Sequence, residues 1–343
     1  MSTQEQSELA TVVRSALAEF APGGARWVTD PAADDPERAA AWRVLADELQ
    51  LAGLTLPERV GGAGDLSDAM VVATELGRAL LHTPFAASTI RASVLLAAAG
   101  EDELLAQISA GEAVVAVADT SLDDADSLGG DLGRVISASD ATHLIVPVAG
   151  GARLLAIADA SVERLASVDP GWPEDRVTLS AAPARRIDVS EAAVSTARSA
   201  VLLAYAAEAV GVASGALDQT VEFVKQRVQF GEPIGSFQAV QHAAADMFVQ
   251  VETAAALSRE SAIALGLEGV VDEALAATTY LYCVKVAQAV AGQAIQLQGG
   301  IGFTWEHTTH RFFKRAAALQ SMPTTPAPQR ERLRVALREG QLT

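Results

Sequence analysis

The apolar residues of the chain change their spacing twice, and this change constrains the fold more than any other feature of the sequence. Up to about Gly111 they recur at helical spacing, from about Glu112 to Val189 they form short runs typical of strands, and from Ser190 the helical spacing returns. Helices, then strands, then helices indicate separate layers rather than one alternating sheet. We therefore predict an α+β multidomain protein with an N-terminal all-α domain at 1–111, a small middle antiparallel β domain at 112–189 and a C-terminal four-helix bundle at 190–343.

The C-terminal part has the clearest element boundaries. Long helices are predicted at about 190–228, 237–267 and 272–298, with a shorter helix near 308–319, and the sequence Gly231-Glu232-Pro233 separates the first from the second. Long helices joined by short turns pack as antiparallel neighbours, which indicates the bundle. In the middle part the predicted strands are 114–118, 135–136, 144–148, 154–157 and 177–179.

Acidic residues outnumber basic ones, and this excludes two classes of partner. The chain has 43 Asp and Glu against 25 Lys and Arg, a net charge of −18 and a pI near 4.6. Because such a surface repels phosphate backbones and anionic lipids, we expect neither nucleic acid nor a membrane as a partner. An anionic small ligand is not excluded, since it needs only a few local cations and backbone N–H groups.

The N-terminus and the cysteine content indicate the compartment. Met1 to Ala10 has no basic-then-apolar signal pattern, and no run of about 18 uncharged apolar residues is evident. The single cysteine, Cys283, lies in an apolar stretch where a buried thiol is expected, and one cysteine forms neither an internal disulfide nor a zinc site. We expect a cytoplasmic protein.

The sequence between the first two long helices, from Arg227 to Gln238, is suited to hold an anion. Arg227 stands at the end of one helix and offers a planar fork to a phosphate. Gln238 stands at the start of the next helix, whose N-terminus offers free N–H groups. Arg227 is equally well explained as a cation favoured by the dipole at a helix C-terminus, so the pattern alone leaves both interpretations open.

A second turn follows the third long helix, at Gln296-Leu297-Gln298-Gly299-Gly300 and on to Gly302. Three glycines in four positions permit positive φ and a close approach of the backbone to a ligand. The alternative is a glycine helix terminator of the usual kind. The third glycine and the polar Gln296 favour a ligand.

With these two turns, the chain resembles the acyl-CoA dehydrogenases over essentially its whole length. In the N-terminal part the resemblance is carried by Leu54-Thr55-Leu56-Pro57-Glu58, Gly61-Gly62 and Glu75-Leu76-Gly77-Arg78, and later by 227–238 and 296–315. In that family both turns reach across a dimer interface to the pyrophosphate and adenosine of FAD. The resemblance implies FAD as the cofactor, contacted by Arg227, Phe230, Gly231, Phe237, Gln238, Gln296, Leu297, Gln298, Gly299 and Gly300.

The middle part departs from the family pattern. The family normally has an aromatic-Thr-Glu-Pro loop, an Ala-Gly-Ser-Asp loop and a Lys-x-Trp-Ile-Thr-Asn strand, which wrap the isoalloxazine ring of the same chain's flavin. The matching regions here read Asp119-Thr120-Ser121-Leu122-Asp123 and Gly133-Arg134-Val135-Ile136-Ser137-Ala138. The contacts to the flavin ring are therefore expected to be missing.

The family's catalytic base is also absent. Removing the α-proton of a thioester requires a carboxylate beside that carbon. The two positions at which family members carry it fall on Val201 and Pro323, and neither residue can accept a proton.

Two other carboxylates, Glu208 and Glu306, are candidates for a functional role. Glu208 lies seven residues beyond Val201, on nearly the same helix face but about 10 Å further along. It is interpreted as a buried or interface glutamate satisfied by a partner, with the alternative of an unusual base. Glu306 stands beside His307 and His310, but no third ligand is evident, so no metal is assigned.

Three hypotheses follow from the resemblance and its departures. In the first, the chain is one subunit of an FAD-dependent heterotetramer in which a longer homologous acyl-CoA dehydrogenase chain supplies the base and the ring contacts. That enzyme would catalyse α,β-dehydrogenation of an acyl-CoA thioester, as in actinobacterial steroid breakdown, and pass electrons to an electron-transfer flavoprotein. In the second, the chain is a self-sufficient homo-oligomer that uses Glu208. In the third, it is a flavin-free scaffold without catalytic function.

Overall fold

The N-terminal region is helical, as its apolar spacing predicts. The computed structural model describes residues 1–20, 35–268, 272–322, 330–331 and 334–335. Asp65 caps a 14-residue apolar helix of this region by accepting hydrogen bonds from the Ser67 and Asp68 amides, and the helix ends where Leu80 adopts a φ of 56°. The helices are α1 (Thr3–Phe20), α2 (Asp35–Arg43), α3 (Leu66–Ala79), α4 (Ser93–Ala99), which continues the helical segment Phe85–Ala92, and α5 (Asp102–Ser109).

The middle region contains two small sheets that pack against each other. One has the strand order β1-β3-β4-β7 and the other β2-β6-β5. The strands are β1 (Val115–Val117), β2 (Ser127–Ile136), β3 (His143–Val148), β4 (Gly151–Ala156), β5 (Ala160–Leu165), β6 (Glu174–Pro183) and β7 (Arg185–Ile187).

The prediction of a purely antiparallel β domain is wrong in one pairing. β1 runs parallel to β3, with Ala116 opposite Leu144, while the other pairings in the two sheets are antiparallel. The chain leaves β1, forms β2 in the other sheet and then returns to β3, so it can re-enter the first sheet in the same direction. The short run of β1 carried no information about the direction of its neighbour.

The C-terminal helices form a four-helix bundle, as predicted. They are α6 (Glu191–Gln226), α7 (Gln238–Glu268), α8 (Glu273–Gln298) and α9 (Thr309–Gln320), with a short hairpin of β8 (Val228–Gln229) and β9 (Glu232–Pro233) between α6 and α7. Ser190 caps α6 by accepting from the Ala193 amide, and Asp272 caps α8. The start and end of each long helix lie within about two residues of the sequence expectation.

The N-terminal helix α3 crosses α6 at very short range. A Cβ atom at Gly77 would lie 2.1 Å from the Glu208 carbonyl oxygen, and one at Gly211 would lie 1.9 Å from the Thr74 carbonyl oxygen. Only glycine permits this approach. As a result the largest hydrophobic core of the described residues combines side chains of α1, α3, α6, α7, α8 and α9 in one cluster.

Two helical spans, Glu191–Gln226 and Glu273–Phe303, are long and apolar enough by length and composition to cross a membrane. Inside this fold, however, the apolar window of the first is fully buried and that of the second is 56 % buried. Core helices of a water-soluble bundle pass the same test. Glu208 also interrupts the apolar run of the first span.

Candidate functional site

Both sequence turns lie at the same end of the bundle. α6 and α8 each end there, and the Gln298 amide, at the last position of α8, donates to the Thr220 hydroxyl of α6 at 3.2 Å. The rings of Phe223 and His307 also meet edge to face, with centroids 5.7 Å apart. The structure therefore brings the Arg227 segment and the double-glycine segment together, although 60 residues or more separate them in sequence.

The turn after α6 presents its side chains to solvent. Among the described residues, the exposed Arg227 guanidinium has neither an ion-pair partner nor a hydrogen bond. Phe230 is 95 % exposed and is held at a φ of 56°, followed by Gly231 at 91°. The ring of the half-buried Phe237 packs edge to face against the Phe230 ring, with centroids 6.2 Å apart. Gln238 begins α7 with an exposed side chain.

The double-glycine turn is divided between an outer and an inner set of groups. Gln296 is exposed, Leu297 is half-buried, and Gly299 and Gly300 are exposed with open space where a Cβ would stand. Gln298, in contrast, is buried and points inward, where its amide oxygen accepts from Thr309 and its amide nitrogen donates to Thr220. Of the predicted contacts, Gln298 can therefore support a ligand only through the backbone.

This end of the bundle fits the adenosine and pyrophosphate side of FAD. An uncommitted guanidinium, exposed amides and glycines with free space are the donor set that a diphosphate and its nucleoside require. Exposed aromatic side chains surround it, including Phe303 at 73 %. Among the described residues of this chain, none covers these exposed groups on the solvent side.

One of the two regions that match the flavin-ring contacts ends in a filled interior. Ile136, Ser137 and Ala138 are buried, and the Ser137 hydroxyl lies 3.1 Å from His82 Nε2. The Trp172 indole fills the adjoining space, with its centroid 4.7 Å from that of the His82 ring and 4.8 Å from the Arg315 guanidinium carbon. An isoalloxazine ring does not fit beside Ile136 to Ala138, whereas Asp119 and Ser121, in the other matching region, border an open cleft.

Further polar contacts join the elements around the same interior. Arg134 bonds to Glu174 at 3.0 Å and to the Ser321 carbonyl at the end of α9. Arg38, on α2, forms a two-pronged ion pair with Asp140 at 2.7 and 2.9 Å. These contacts join β2 to the end of α9, and α2 to the short turn after β2.

Glu208 lies in this interior and is bound to Arg315. Arg315 Nη1 donates to Glu208 Oε1 at 3.0 Å, and Arg315 Nε donates to Asp169. The second terminal nitrogen of the guanidinium donates to the carbonyl oxygens of Leu80 at 2.8 Å and Gly171 at 3.1 Å. Arg315 has no exposed surface, so its charge is shared entirely among groups of this chain.

Burial raises the pKa of Glu208 to about 7, and the attraction of Arg315 only partly opposes this rise. A carboxyl group with such a pKa has the acid–base properties of a general base. It has no room for a substrate, however. The cavity that it shares with Ser137, Trp172 and Tyr205 has a volume of about 10 Å³, which is the space of one water molecule.

A cleft of about 640 Å³ lies elsewhere, between the sheet edge at Val117 to Ser121, helix α4 and the first turns of α6. Neither Glu208 nor Val201 lines it. Asp119, one of its carboxylates, is paired with Arg91 at 2.6 Å, and Glu273 accepts a hydrogen bond from Ser195. A substrate-sized space and the raised-pKa carboxyl are therefore in different places.

The remaining candidates occupy structural positions. Val201 is buried in α6, and Pro323 lies outside the described residues. Among the described residues no group of three or more His, Cys, Asp or Glu side chains could hold a metal ion. Cys283 is buried, which raises its pKa to about 12, and its Sγ lies 3.6 Å from the Ala254 carbonyl.

Comparison with known proteins decides the family. Models of the acyl-CoA dehydrogenase N-terminal and C-terminal domains match residues 3–110 and 177–331. The acyl-CoA dehydrogenase IpdE2 of Mycobacterium tuberculosis is 34 % identical over 336 residues, which cover 96 % of each chain. The chain belongs to the acyl-CoA dehydrogenases.

Solved acyl-CoA dehydrogenase structures have the same fold. The Tcur3481-Tcur3483 steroid acyl-CoA dehydrogenase superposes with a TM-score of 0.87 at 27 % identity, over 99 % of each chain. The ChsE4-ChsE5 complex of M. tuberculosis gives 0.85 at 23 % identity, over 99 % of this chain and 98 % of that one. The family is one of FAD-dependent oxidoreductases, and a glutaryl-CoA dehydrogenase of M. smegmatis with the same fold was solved in complex with FADH2.

Sequence reasoning missed Asp169 and Arg315 as the groups that determine the state of Glu208. Asp169 lies in the turn between β5 and β6, and Arg315 lies on α9, 107 residues beyond Glu208. The one available signal was a pair of arginines, Arg311 and Arg315, one turn apart on a short helix with an apolar face. A buried arginine needs a buried carboxylate, and Glu208 was the acid placed in an apolar run.

Proposed function

We propose that this acyl-CoA dehydrogenase chain is the shorter subunit of a heteromeric enzyme and supplies the adenosine-side half of an FAD site. The longer homologous subunit supplies the catalytic carboxylate and the contacts to the flavin ring. The reaction is α,β-dehydrogenation of an acyl-CoA thioester, and FAD, when bound, accepts the hydride that leaves the β-carbon.

One observation carries the proposal: Glu208 is bound to a fully buried Arg315 beside a cavity with space for a single water molecule. An acyl chain and a flavin ring each need a volume many times larger. Without displacement of Trp172 and the Arg315 cluster, this chain cannot bring a substrate to its own carboxylate. The base and the ring site must then come from another chain.

The contribution of this chain is electrostatic and positional. Arg227 would pair with the pyrophosphate, Phe230 and Phe237 would cover an apolar face of the adenosine, and Gln238 and Gln296 would donate to its polar edge. The backbone of Gly231 and of Leu297 to Gly300 would approach closely where side chains would otherwise intervene.

The likeness to the Tcur3481-Tcur3483 steroid acyl-CoA dehydrogenase favours a bulky, steroid-derived acyl-CoA as the substrate. Both that structure and the ChsE4-ChsE5 complex are named as pairs of chains, which supports a partner acyl-CoA dehydrogenase subunit, and we propose a two-plus-two assembly. We propose that the enzyme works in the cytoplasm and passes its electrons to an electron-transfer flavoprotein. The acidic surface is consistent with a protein that binds neither nucleic acid nor membranes.

The test is the FAD content of this chain, measured alone and after co-expression with a longer acyl-CoA dehydrogenase chain of the same host. We expect almost no FAD in the isolated protein and one FAD for each pair of unlike chains, with dehydrogenase activity only in the complex. A two-fold homodimer repeats the same missing half on both sides, so it cannot complete a site.

Two other outcomes point to the rival hypotheses. One FAD per chain in the isolated homo-oligomer, with activity, would support a self-sufficient enzyme that uses Glu208. Absence of FAD from every assembly would support a scaffold. Either result contradicts the proposal of a shared site.

A further inference from the structure

Thr309 connects the two halves of the candidate FAD site through a buried chain of hydrogen bonds. Its hydroxyl donates to the amide oxygen of Gln298, whose amide nitrogen donates to the Thr220 hydroxyl at 3.2 Å. Thr220 in turn donates to the Ala216 carbonyl of α6 at 2.7 Å. Thr309 and Thr220 have no exposed surface, and Gln298 is 5 % exposed.

Three polar groups meet at the Thr309 hydroxyl. It donates toward the amide oxygens of Gln298 on α8 and, at 3.2 Å, of Gln219 on α6, and these two acceptors share its single proton. His307 Nδ1 lies 2.8 Å from the same hydroxyl oxygen and is placed to donate to it. The hydroxyl therefore joins α9 to both α6 and α8, and its branch through Gln298 continues to Thr220 and the backbone of α6.

The ends of the chain lie beside the groups proposed to hold FAD. Gln298 is the last residue of α8 and directly precedes Gly299 and Gly300. Thr220 lies two helical turns, about 10 Å, before Arg227 on α6. The Gln298 side chain therefore links the start of the double-glycine turn to α6, two turns before Arg227.

We infer that Thr309 is a positioning residue for FAD: it acts through Gln298 to hold the double-glycine turn in register with Arg227. This rests on the proposed function, since the shared FAD site is itself a proposal. Gln298 then has a role different from the ligand contact that its sequence position implies. It orients the turn, and its side chain does not reach the cofactor.

The test compares Thr309→Val with Thr309→Ser in the complex with the longer chain. Valine keeps the shape and removes the hydroxyl, while serine keeps the hydroxyl. We expect valine to raise the Kd of FAD about tenfold or more and serine to keep it within threefold. The Kd is measured by flavin fluorescence on the folded complex, and the melting temperature of each isolated variant is recorded separately.

Thr279→Val is a matched control for stability. Thr279 is equally buried, bonds to Ser261 at 2.7 Å and lies on α8 about 28 Å before Gln298. We expect this variant to lower the melting temperature without changing the Kd of FAD. If Thr309→Val behaves in the same way, its hydroxyl only stabilises the bundle and the inference is wrong.

The design separates this inference from the proposed function. A wild-type complex without FAD refutes the shared site itself. If the wild-type complex binds FAD, and Arg227→Ala raises the Kd of FAD while Thr309→Val does not, only the positioning role is refuted.

Discussion

Arg315 lies in the interior, where two carboxylates accept hydrogen bonds from its guanidinium. They belong to Asp169 and Glu208, and Asp169 is also attracted to the buried Arg311 on the same helix as Arg315. An ionised carboxyl is costly to bury. Burial therefore raises the pKa of Glu208 to about 7, and the attraction of Arg315 only partly opposes this rise. At the residue scale, the same cluster closes the space for a substrate and makes this carboxyl sensitive to pH.

Glu208→Gln should therefore flatten the pH dependence of stability. The folded pKa of Glu208 is raised from 4.5 to about 7, so the folded chain binds more protons than the unfolded chain in this interval and wild-type stability falls as pH rises through it. The full effect is about 3 kcal/mol at most. We expect the variant to gain stability relative to wild type between pH 5 and pH 8, as measured by urea unfolding.

The exposed Glu222→Gln, on the same helix, should leave the pH profile unchanged and is the control. Glu208→Gln should also keep the turnover of the assembled complex within a few-fold, because the base belongs to the partner. A fall in turnover of roughly 10² to 10⁴ would identify Glu208 as the base instead.

Arg227→Ala should weaken binding of FAD to the complex. A charge-assisted contact to a phosphate contributes roughly 1.5 to 3 kcal/mol, so we expect the Kd to rise about 10- to 100-fold. Lys225→Ala, two residues earlier, removes an exposed cation that is paired with Glu222 and serves as the control. Equal affinities for the two variants would mean that Arg227 only stabilises the end of α6.

At the scale of elements, the crossing of α3 and α6 depends on two glycines. Gly77 and Gly211 let the two backbones touch, and Glu208 lies on α6 at this crossing, so its backbone position is fixed by contact with α3. The ion cluster around Arg315 therefore lies beside a pair of helices that are about 110 residues apart in the sequence.

Gly211→Ala should destabilise the protein by several kcal/mol, because a methyl group 1.9 Å from the Thr74 carbonyl oxygen forces the helices apart. Gly266→Ala is the matched control, since that glycine is also helical but has open space around it. Alanine there should stabilise by roughly 0.5 to 1 kcal/mol through its helix propensity. If both variants changed the free energy of unfolding in the same direction relative to wild type, the tight crossing would be contradicted.

The elements that the sequence predicts well are those with a long, regular pattern. α6, α7 and α8 have many turns of consistent apolar spacing, and their ends are marked by Ser190, Asp272 and the Gly231-Glu232-Pro233 break. β5 was not predicted, because its residues alternate between half-buried and exposed at a sheet edge and include Glu163 and Arg164. The three residues of β7 are too few to form a pattern.

The candidate site was predictable only where it is local. Each turn was visible in a dozen consecutive residues, and the structure brings the two together. The partners of Glu208 were not visible, because Asp169 and Arg315 are distant in sequence and a buried ion cluster leaves no periodic trace. The inward orientation of Gln298 depends on Thr220 and Thr309, which no short motif contains.

On the scale of the whole molecule, the chain has a closed interior and an open end. The interior around Glu208 is filled, whereas the end of the bundle exposes Arg227, two glycines and several aromatic side chains. A surface of this kind is typical of an interface. Binding of FAD and binding of the partner chain should therefore be linked.

Added FAD should stabilise the complex and not the isolated chain. Ligand at about 100 times its Kd stabilises a folded protein by roughly 2.7 kcal/mol, which corresponds to several degrees in melting temperature. We expect this shift for the complex and none for the isolated chain at the same FAD concentration, as followed by thermal unfolding. An equal shift in both samples would mean that this chain holds the cofactor unaided.

The largest core has a consequence for how the protein is made. Its side chains come from both the first and the last helices of the described chain, with the sheets encoded between them. On the ribosome, α3 emerges about 240 residues before α9, a delay of roughly 12 to 48 seconds. During that interval the part of the apolar core that α9 covers stays open, so nascent chains should depend on chaperones until α9 has left the exit tunnel.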